Sequence, residues 1–231
     1  MIYHNWTQLP EKPVINYRDL HLWLAWLDEE TPARYWEILS KDEHARAMRL
    51  CKPQDSQRFI KARGILRSIL GRYLKRDPGK LVFSYGVHGK PALKGYSPKE
   101  LSFNLSHSRG LAAYVIASGL DVGVDIEEVH PLGNLDGMAT NFLSTVEQDV
   151  LRTVPPAMKL ISFFTLWTCK EAVLKADGAG LTYPAYGVKV SLRHSNSQLS
   201  SMTAVLPDDR CCRLRLLKPA EGYLGALAYF G

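Results

Sequence analysis

The sequence is poor in cysteine and contains no long apolar run, and each absence excludes a class of protein. Its four cysteines show neither a C-x-x-C motif nor the spacing of a zinc site: Cys51, Cys169, Cys211 and Cys212. We interpret them as reduced thiols rather than as a disulfide framework. The longest apolar run, over residues 111–117, is far shorter than the ~18 residues that cross a bilayer.

The amino terminus lacks the basic and apolar regions of a secretory signal peptide, so we expect a cytoplasmic protein without a membrane anchor. Hydrophobic residues make up 46% of the chain and charged residues 23%. These values are typical of globular proteins and exclude wholesale disorder. A chain of 231 residues is long enough for one large domain or two small ones, with a core that needs no disulfides.

The net charge of +6 has a local origin. Residues 46–76 contain ten lysines and arginines against one acid, Asp55, whereas the rest of the chain is net negative. A local basic stretch indicates a polyanionic partner such as nucleic acid, a phosphorylated cofactor or an acidic protein. A solvated basic helix face is the simpler alternative, and composition does not choose between them.

Local signals predict several helices. Ser40 with Glu43, and Ser144 with Glu147, show the S-x-x-E pattern that is typical of capping boxes at helix starts. A short helix is expected over residues 32–39. Apolar residues at every third or fourth position predict long helices over residues 55–76 and 157–176.

Alternating polar and apolar residues predict strands over residues 101–106 and 120–127, on either side of the apolar strand 111–117. Because the turns between them are short, we expect these three strands to form an antiparallel meander. Further strands are expected over residues 81–85, 187–192, 199–206, 213–216 and 223–230. The order of helices followed by strands occurs twice, which predicts an α+β fold of two halves that meet near residues 115–120.

Acidic residues form the first candidate site. Asp125 and Glu127 lie on the same face of a predicted strand, where two neighbouring carboxylates repel each other unless a cation or solvent separates them. On the predicted helix over residues 157–176, Glu171 and Lys175 are four residues apart and could form an ordinary surface ion pair. Because that helix is rich in apolar residues, these charges need a partner. The three acids together would make an all-oxygen site that suits Mg²⁺.

Basic residues from separate segments could converge on phosphate groups: Arg46, Arg58, Lys90 and His107. The Gly89-Lys90-Pro91 segment lacks the spacing of a Walker A loop. Ser106 and His107 are adjacent on a predicted strand and face opposite ways, without a G-x-S-x-G motif, which argues against a serine hydrolase.

Four motifs occur in order: Gly89-Lys90-Pro91, Phe103-Asn104-Leu105-Ser106-His107-Ser108, Gly123-Val124-Asp125-Ile126-Glu127 and Trp167-x-x-Lys170-Glu171-Ala172-x-x-Lys175-x-x-Gly178-x-Gly180-Leu181. At these spacings they resemble the 4′-phosphopantetheinyl transferases of the surfactin type, over most of the chain. The G-V-D-I-E motif alone is a weak signal, but the ordered set is specific.

The resemblance implies transfer of phosphopantetheine from coenzyme A to a serine of an acyl or peptidyl carrier protein, with release of 3′,5′-ADP. It implies two α+β halves related by a pseudo-two-fold axis, residues 1–118 and 119–231, with coenzyme A in the cleft between them. It also implies a monomer whose partners are acidic carrier proteins, not nucleic acid or membrane. The pathway, whether fatty-acid, polyketide or nonribosomal-peptide synthesis, stays open.

The resemblance also implies roles for individual residues. Asp125, Glu127 and Glu171 correspond to ligands of Mg²⁺. Glu171 corresponds to the base that accepts the serine proton, directly or through water, with Glu127 acting through a metal-bound water as the alternative. Lys175 corresponds to the residue that stabilises phosphate charge and the leaving group. The residues expected to bind coenzyme A are Arg46, Arg58, Lys90, Pro91, Asn104, Ser106, His107 and Asp125.

The sequence departs from the family pattern at two places, and two other functions remain as alternatives. Glu43 is acidic where some relatives have a basic residue for the 3′-phosphate, and residues 141–144 differ from the Arg-Phe-Phe-Ser of many relatives. Lys170 matches the family motif, but its role stays open. A nucleic-acid-binding module would use the basic helix but shows no recognised motif. A metal-dependent phosphohydrolase or nuclease is disfavoured because the usual Glu-x-Lys spacing is absent.

Overall fold

The computed structural model describes residues 4–178, 184–195 and 198–231. It confirms the predicted mixed α+β fold, in which each half combines a β-sheet with a long helix. Within these ranges, no helix is both long enough and apolar enough to span a membrane.

The helices and strands divide between the two halves. The first half contains β1 (His4–Asn5), β2 (Leu20–Trp26), α1 (Ala33–Ile38), α2 (Lys41–Met48), α3 (Pro53–Leu74), β3 (Phe83–Tyr85), β4 (Pro91–Leu93), β5 (Ser102–Ser108) and β6 (Leu111–Ala117). The second contains β7 (Asp121–Glu128), α4 (Leu135–Phe142), α5 (Thr145–Thr153), α6 (Pro156–Asp177), β8 (Lys189–Ser195), β9 (Gln198–Val205), β10 (Cys211–Leu217) and β11 (Tyr223–Phe230). The predicted long helices are confirmed, whereas β2 and α4 were not predicted.

Each half has one main sheet. The first has the strand order β1-β2-β6-β5, in which β1 is parallel to β2 and the other pairs are antiparallel. The second has the order β7-β11-β10-β9-β8 and is antiparallel throughout. A separate antiparallel pair is formed by β3 and β4.

The predicted meander is wrong at its third strand. β5 and β6 do pair antiparallel, but β7 pairs with β11 and belongs to the second sheet. The reason is that β6 has β2 on one edge and β5 on the other, so it has no edge left for β7. The chain crosses between the sheets through Gly119, whose φ of 69° lies in the left-handed region that favours glycine.

Buried clusters join each helix to its sheet and the two halves to each other. Ile65 and Ile69 of α3 share a cluster with Tyr114 of β6, whose hydroxyl donates to the Ala62 carbonyl of α3 at 3.1 Å. The opposite face of β6 packs, through Val115, with residues of β7 and β11. Burial on both faces is the physical reason for the apolar run at residues 111–117.

The acidic Glu43 has a structural reason. Its side chain is 2% exposed, and its carboxylate accepts hydrogen bonds from Arg63 at 2.6 Å and from Arg67 at 2.7 Å. The Ser40 backbone N–H donates to the same carboxylate, which confirms the predicted capping box. A basic residue at this position would face two buried guanidinium groups, so the acid suits this chain.

This buried ion cluster predicts an acid-sensitive fold. Burial raises the pKa of Glu43, but Arg63, the Ser40 N–H and Arg67 together outweigh it and leave the pKa below its usual value. A lowered folded-state pKa means that the stabilisation is complete above the unfolded-state value of about 4.3. It is lost as the pH falls through the folded-state value.

We therefore expect Glu43→Gln to lower the free energy of unfolding at neutral pH by about 3 kcal/mol, as when a buried ion pair is broken. The difference from the wild type should shrink below about pH 4, where the wild-type carboxyl becomes protonated. Urea denaturation at neutral and acid pH measures both values, with Glu37→Gln on the exposed face of α1 as the control. A difference that is the same at both pH values would contradict the expectation.

Candidate active site

The candidate site forms where β5 of the first half meets β7 and α6 of the second. Gly123 of β7 allows this approach, because a Cβ at that position would lie 2.1 Å from the Ala172 carbonyl oxygen and 2.3 Å from the Ala176 nitrogen. The backbone of α6 therefore lies directly on β7. This contact brings Glu171 and Lys175 of α6 close to Asp125 of β7.

Asp125 lies at the centre of the site and is 3% exposed. Its Oδ1 accepts hydrogen bonds from Lys175 Nζ at 2.7 Å and from Ser106 Oγ at 2.9 Å. Its Oδ2 is buried without a hydrogen-bond partner, and so is Oε1 of Glu171. Buried carboxylate oxygens that lack partners are costly, and a cation bound beside them would remove that cost.

The charges in this cluster are not balanced. Burial raises the pKa of Asp125, Glu127 and Glu171. The charge of Asp125 raises the pKa values of the other two further, whereas Lys175 lowers all three. The acids are coupled and carry more negative charge than the one lysine in direct contact neutralises, so a bound cation would relieve their repulsion.

The donor set fits a hard divalent cation, although no metal-binding group is preformed. Across the described ranges, no three acidic, histidine or cysteine side chains already lie close enough together to hold a metal ion. Carboxylate oxygens are the ligands that Mg²⁺ prefers. The unpartnered Asp125 Oδ2 and Glu171 Oε1 are free to serve as such ligands.

Glu127 is held by a donor that sequence analysis did not assign. Ser108 Oγ donates to Glu127 Oε2 at 2.6 Å, and a hydrogen bond from Trp167 of α6 lowers the pKa of the same carboxylate. Ser108 has the same parity along β5 as Asn104 and Ser106. That alternation is the sequence signal that could have indicated that the Ser108 side chain lies on the same face of β5 as those of Asn104 and Ser106.

A cleft of about 640 Å³ opens beside these acids, within the size range of small-molecule sites. Five residues expected to act in the site line it together: Lys90, Pro91, Asn104, Glu171 and Lys175. Residues from both halves of the chain therefore form one cleft.

Two of the expected coenzyme-binding residues make structural contacts with β7. Lys90 donates to the Ala176 carbonyl at 2.8 Å and to the Val122 carbonyl at 3.2 Å, and burial lowers its pKa. Asn104 Oδ1 accepts from the Val124 N–H at 3.0 Å. The Lys90 ammonium thus ties the first half to α6 and β7, while its stem and Pro91 line the cleft.

The remaining basic residues lie around His107. The pKa of His107 is lowered, first because the surrounding residues displace bulk water and then because Lys175, Arg46 and Arg58 repel an imidazolium, although the ring stays solvent-accessible. Arg58 is bound to both carboxylate oxygens of Asp28 at 2.6 and 2.8 Å. This concentration of positive charge suits a phosphorylated ligand.

Arg46 lines a separate cavity rather than the main cleft. Its guanidinium lies 5.3 Å from the centre of the Phe59 ring. The cavity has a volume of about 230 Å³ and is lined also by Glu43, Arg49 and Tyr85. Of the expected coenzyme-binding residues, Lys90, Pro91 and Asn104 line the main cleft and Arg46 lines this separate cavity, whereas Arg58, Ser106, His107 and Asp125 line neither.

Lys170 and Gly178 have structural roles. Lys170 is fully buried, and its ammonium donates to Glu147 at 2.8 Å and to the carbonyls of Ala185 and Val188 at 3.0 and 2.6 Å. Gly178 ends α6 with a φ of 81°, a left-handed conformation typical of a glycine at a helix C-terminus. The motif positions Gly180 and Leu181 lie outside the described residues.

Residues of both halves line one cleft, with coupled carboxylates beside it and positive charge around His107, an arrangement that suits a phosphorylated ligand. A profile described as "4′-phosphopantetheinyl transferase superfamily" matches residues 121–228. A second, described as "4′-phosphopantetheinyl transferase, N-terminal", matches residues 26–119.

Individual proteins that are similar to this chain are named as phosphopantetheinyl transferases too. The 4′-phosphopantetheinyl transferase HetI of Nostoc sp. is 36% identical over 220 residues, which cover 91% of this chain and 92% of HetI. The 4′-phosphopantetheinyl transferase Sfp of Bacillus subtilis is 27% identical over 85% of this chain and 84% of its own. The L-aminoadipate-semialdehyde dehydrogenase-phosphopantetheinyl transferase of Schizosaccharomyces pombe is 29% identical over 77% and 73%.

The chain therefore belongs to the 4′-phosphopantetheinyl transferase superfamily, enzymes that transfer phosphopantetheine from coenzyme A to carrier proteins. The resemblance found in the sequence motifs is confirmed at the level of the family.

Proposed function

We propose that this chain converts apo acyl or peptidyl carrier proteins to their holo forms in the cleft between its two halves, and that the acid cluster holds the Mg²⁺ this reaction needs. The observation that carries the proposal is the electrostatic coupling of Asp125, Glu127 and Glu171 with one another and with Lys175, with two buried carboxylate oxygens unpartnered. This arrangement suits a pyrophosphate, whose charges need both a cation and a lysine.

The reaction exchanges a phosphoanhydride bond for a phosphoester bond. The carrier serine oxygen forms a bond to the phosphorus that bears pantetheine, and the bond from that phosphorus to the bridging oxygen breaks. 3′,5′-ADP leaves with the bridging oxygen. Glu171 is the proposed acceptor of the serine proton, because its carboxylate belongs to the cluster and has an oxygen without a partner.

Asp125, Glu127 and Glu171 would hold the metal ion. When bound, Mg²⁺ supplies charge neutralisation and an in-line orientation of the pyrophosphate. Lys175 Nζ, now bonded to Asp125 and Ser106, is placed to stabilise negative charge on the leaving phosphate. Arg46 and Arg58 supply positive potential for the 3′-phosphate end of coenzyme A, and the neutral imidazole of His107 lies among them as a hydrogen-bond donor.

The exposed basic residues Arg46, Arg49 and Lys52 support acidic carrier proteins as partners, because surface charge of one sign attracts a partner of the other sign. Lys61, Arg63 and Arg67 of the same stretch are buried and do not contribute to this surface. A monomer is proposed because β5 and Lys90 of the first half and α6 of the second complete the cleft within one chain. The four free cysteines support a reducing, cytoplasmic location. The proposal involves neither nucleic acid nor a membrane.

The proposal is tested by intact-mass measurement of an apo acyl carrier protein incubated with the enzyme, coenzyme A and Mg²⁺. The expected result is a mass gain of one phosphopantetheine group, which disappears when EDTA is added and returns with excess Mg²⁺. A carrier protein whose acceptor serine is replaced by alanine is the control. Transfer that persists in EDTA would contradict the metal assignment, and no transfer to several carriers would contradict the activity.

A further inference from the structure

The polar face of β5 lies along β7 and contacts it at every second residue. Asn104, Ser106 and Ser108 accept hydrogen bonds from the backbone N–H groups of Val124, Ile126 and Glu128, at 3.0, 3.4 and 3.1 Å. Ser102, at the other end, donates to the Leu120 carbonyl at 2.5 Å. From Asn104 to Ser108 the partners advance by two residues on both strands, so side chains of β5 take the place of a backbone ladder between the two sheets.

Within this series, two serines make a second contact that the other members lack. Ser106 Oγ donates to Asp125 Oδ1 at 2.9 Å, and Ser108 Oγ donates to Glu127 Oε2 at 2.6 Å. Each serine therefore accepts from one backbone N–H of β7 and donates to the carboxylate of the residue before it. The repeat two residues apart shows that these contacts follow from the strand register rather than from a single side-chain placement.

The Ser108 hydroxyl has a fixed orientation. The Glu128 N–H occupies one of its lone pairs, and its one proton goes to Glu127. The distance of 2.6 Å is that of a charge-assisted bond between a hydroxyl and a carboxylate. Ser108 is thus an anchored donor that limits where the Glu127 carboxylate lies.

Glu127 needs such an anchor because its surroundings otherwise repel it. Burial and the charge of Asp125 both raise the pKa of Glu127, and the hydrogen bonds from Ser108 and Trp167 oppose this effect together with the Lys175 charge. The Trp167 ring is itself packed edge-on against Phe142, with ring centres 4.1 Å apart. The hydrogen bond of 2.6 Å from Ser108 is therefore the contact that anchors Glu127, with Trp167 of the second half close by.

We propose that Ser108 is a positioning residue that fixes the Glu127 carboxylate for the divalent cation, so that metal affinity depends on a hydroxyl supplied by the opposite half of the chain. The inference rests on the proposed function, in which Glu127 is a ligand of that cation. Ser108 acts through Glu127 and is not assigned a contact with coenzyme A or with the carrier.

The test compares the wild type with Ser108→Ala, Ser108→Thr and Ser102→Ala. Ser102→Ala is the matched control, because Ser102 lies on the same face of the same strand and bonds a backbone carbonyl instead of a carboxylate. Free Mn²⁺ is measured by electron paramagnetic resonance during titration in the presence of coenzyme A. The Mg²⁺ concentration for half-maximal transfer is measured separately, and so is coenzyme A binding in EDTA.

We expect Ser108→Ala to weaken Mn²⁺ binding roughly tenfold, the lower end of the loss seen when a partner of a metal ligand is removed. The Mg²⁺ requirement should rise by a similar factor, while coenzyme A binding in EDTA is unchanged. Ser108→Thr, which keeps the hydroxyl and suits a strand, should restore metal binding. Ser102→Ala should resemble the wild type.

Equal Mn²⁺ binding by Ser108→Ala and the wild type would overturn the inference. Equal weakening in Ser102→Ala would also overturn it, because the effect would then come from general loosening of the contact between β5 and β7. If the wild type itself bound no Mn²⁺ and transferred in EDTA, the metal assignment in the proposed function would fail instead, so the two failures are distinguishable.

Discussion

Asp125→Ala is expected to lower kcat/KM for transfer to a carrier protein by roughly 10²- to 10³-fold, the loss typical when a preorganised charged contact is removed from a reacting centre. The change removes the buried oxygen that has no partner and also the acceptor that holds Lys175 and Ser106 in place. Initial rates from intact-mass measurements at saturating Mg²⁺ provide the test.

Glu171→Gln distinguishes a loss of catalytic activity from a loss of folded protein. The glutamine has the same shape but cannot accept the serine proton, so a similar loss of transfer is expected. In EDTA, however, this variant should be at least as stable to heat as the wild type. The substitution removes one of three carboxylates that repel each other, which should raise the stability of the folded state. Functional sites commonly keep such destabilising groups because activity needs them.

The matched control is Glu128→Gln on the same strand. Glu128 is the residue after Glu127 and forms an ion pair with Arg109, and its side chain leaves the opposite face of β7. The transfer rate of the Glu128→Gln variant should stay within about twofold of the wild type, as expected for surface substitutions away from the active site. Normal, EDTA-sensitive transfer by Asp125→Ala and Glu171→Gln would show that the acid cluster is not the active site.

Elements with local signals could be predicted from the sequence. The capping boxes at Ser40 and Ser144 each satisfy a helix start within four residues, and both helices begin one residue later, as expected. The periodicity of the two long helices likewise needs no distant partner. These predictions were confirmed because the information lies within the segment itself.

Strand partners and contact geometry depend on segments that are distant in the sequence, so they could be predicted less well. β7 was expected beside β6 but pairs with β11, which follows it by almost a hundred residues. β2, with the sequence LHLWLAW, lacks the clean alternation of a half-buried strand and was missed. Pairing is decided by which sheet edges are free, and this cannot be read from one segment.

The candidate site shows the same division. The motifs indicated the acids, Lys175 and the segment around Ser106, and the structure brings these residues together. They did not indicate that Arg58 is bound to Asp28 or that Lys90 donates to backbone carbonyls of the other half. The contact between Ser108 and Glu127 joins two sheets, so it follows from the fold and not from either motif alone.

The second large effect is expected at Gly123, where the fold and the site depend on the same contact. A Cβ at Gly123 would lie 2.1 Å from the Ala172 carbonyl oxygen, a distance that backbone atoms on both sides cannot relieve by side-chain rotation. Gly123→Ala must therefore displace α6 from β7. Glu171 and Lys175 move with the helix, away from Asp125.

We expect Gly123→Ala to lower the free energy of unfolding by about 1–3 kcal/mol, the usual range for overpacking. Under conditions in which the variant is fully folded, kcat/KM should fall about 10²-fold, since a misplacement of about 1 Å has that effect on reacting groups. Urea denaturation and transfer rates measure the two effects, with Gly133→Ala as the control because a Cβ there meets no atom within 4 Å. If Gly123→Ala kept wild-type transfer while folded, the position of α6 on β7 would not determine activity. If the transfer rate fell by more than the fraction of folded protein, Gly123 would be needed for catalysis because it sets the position of α6.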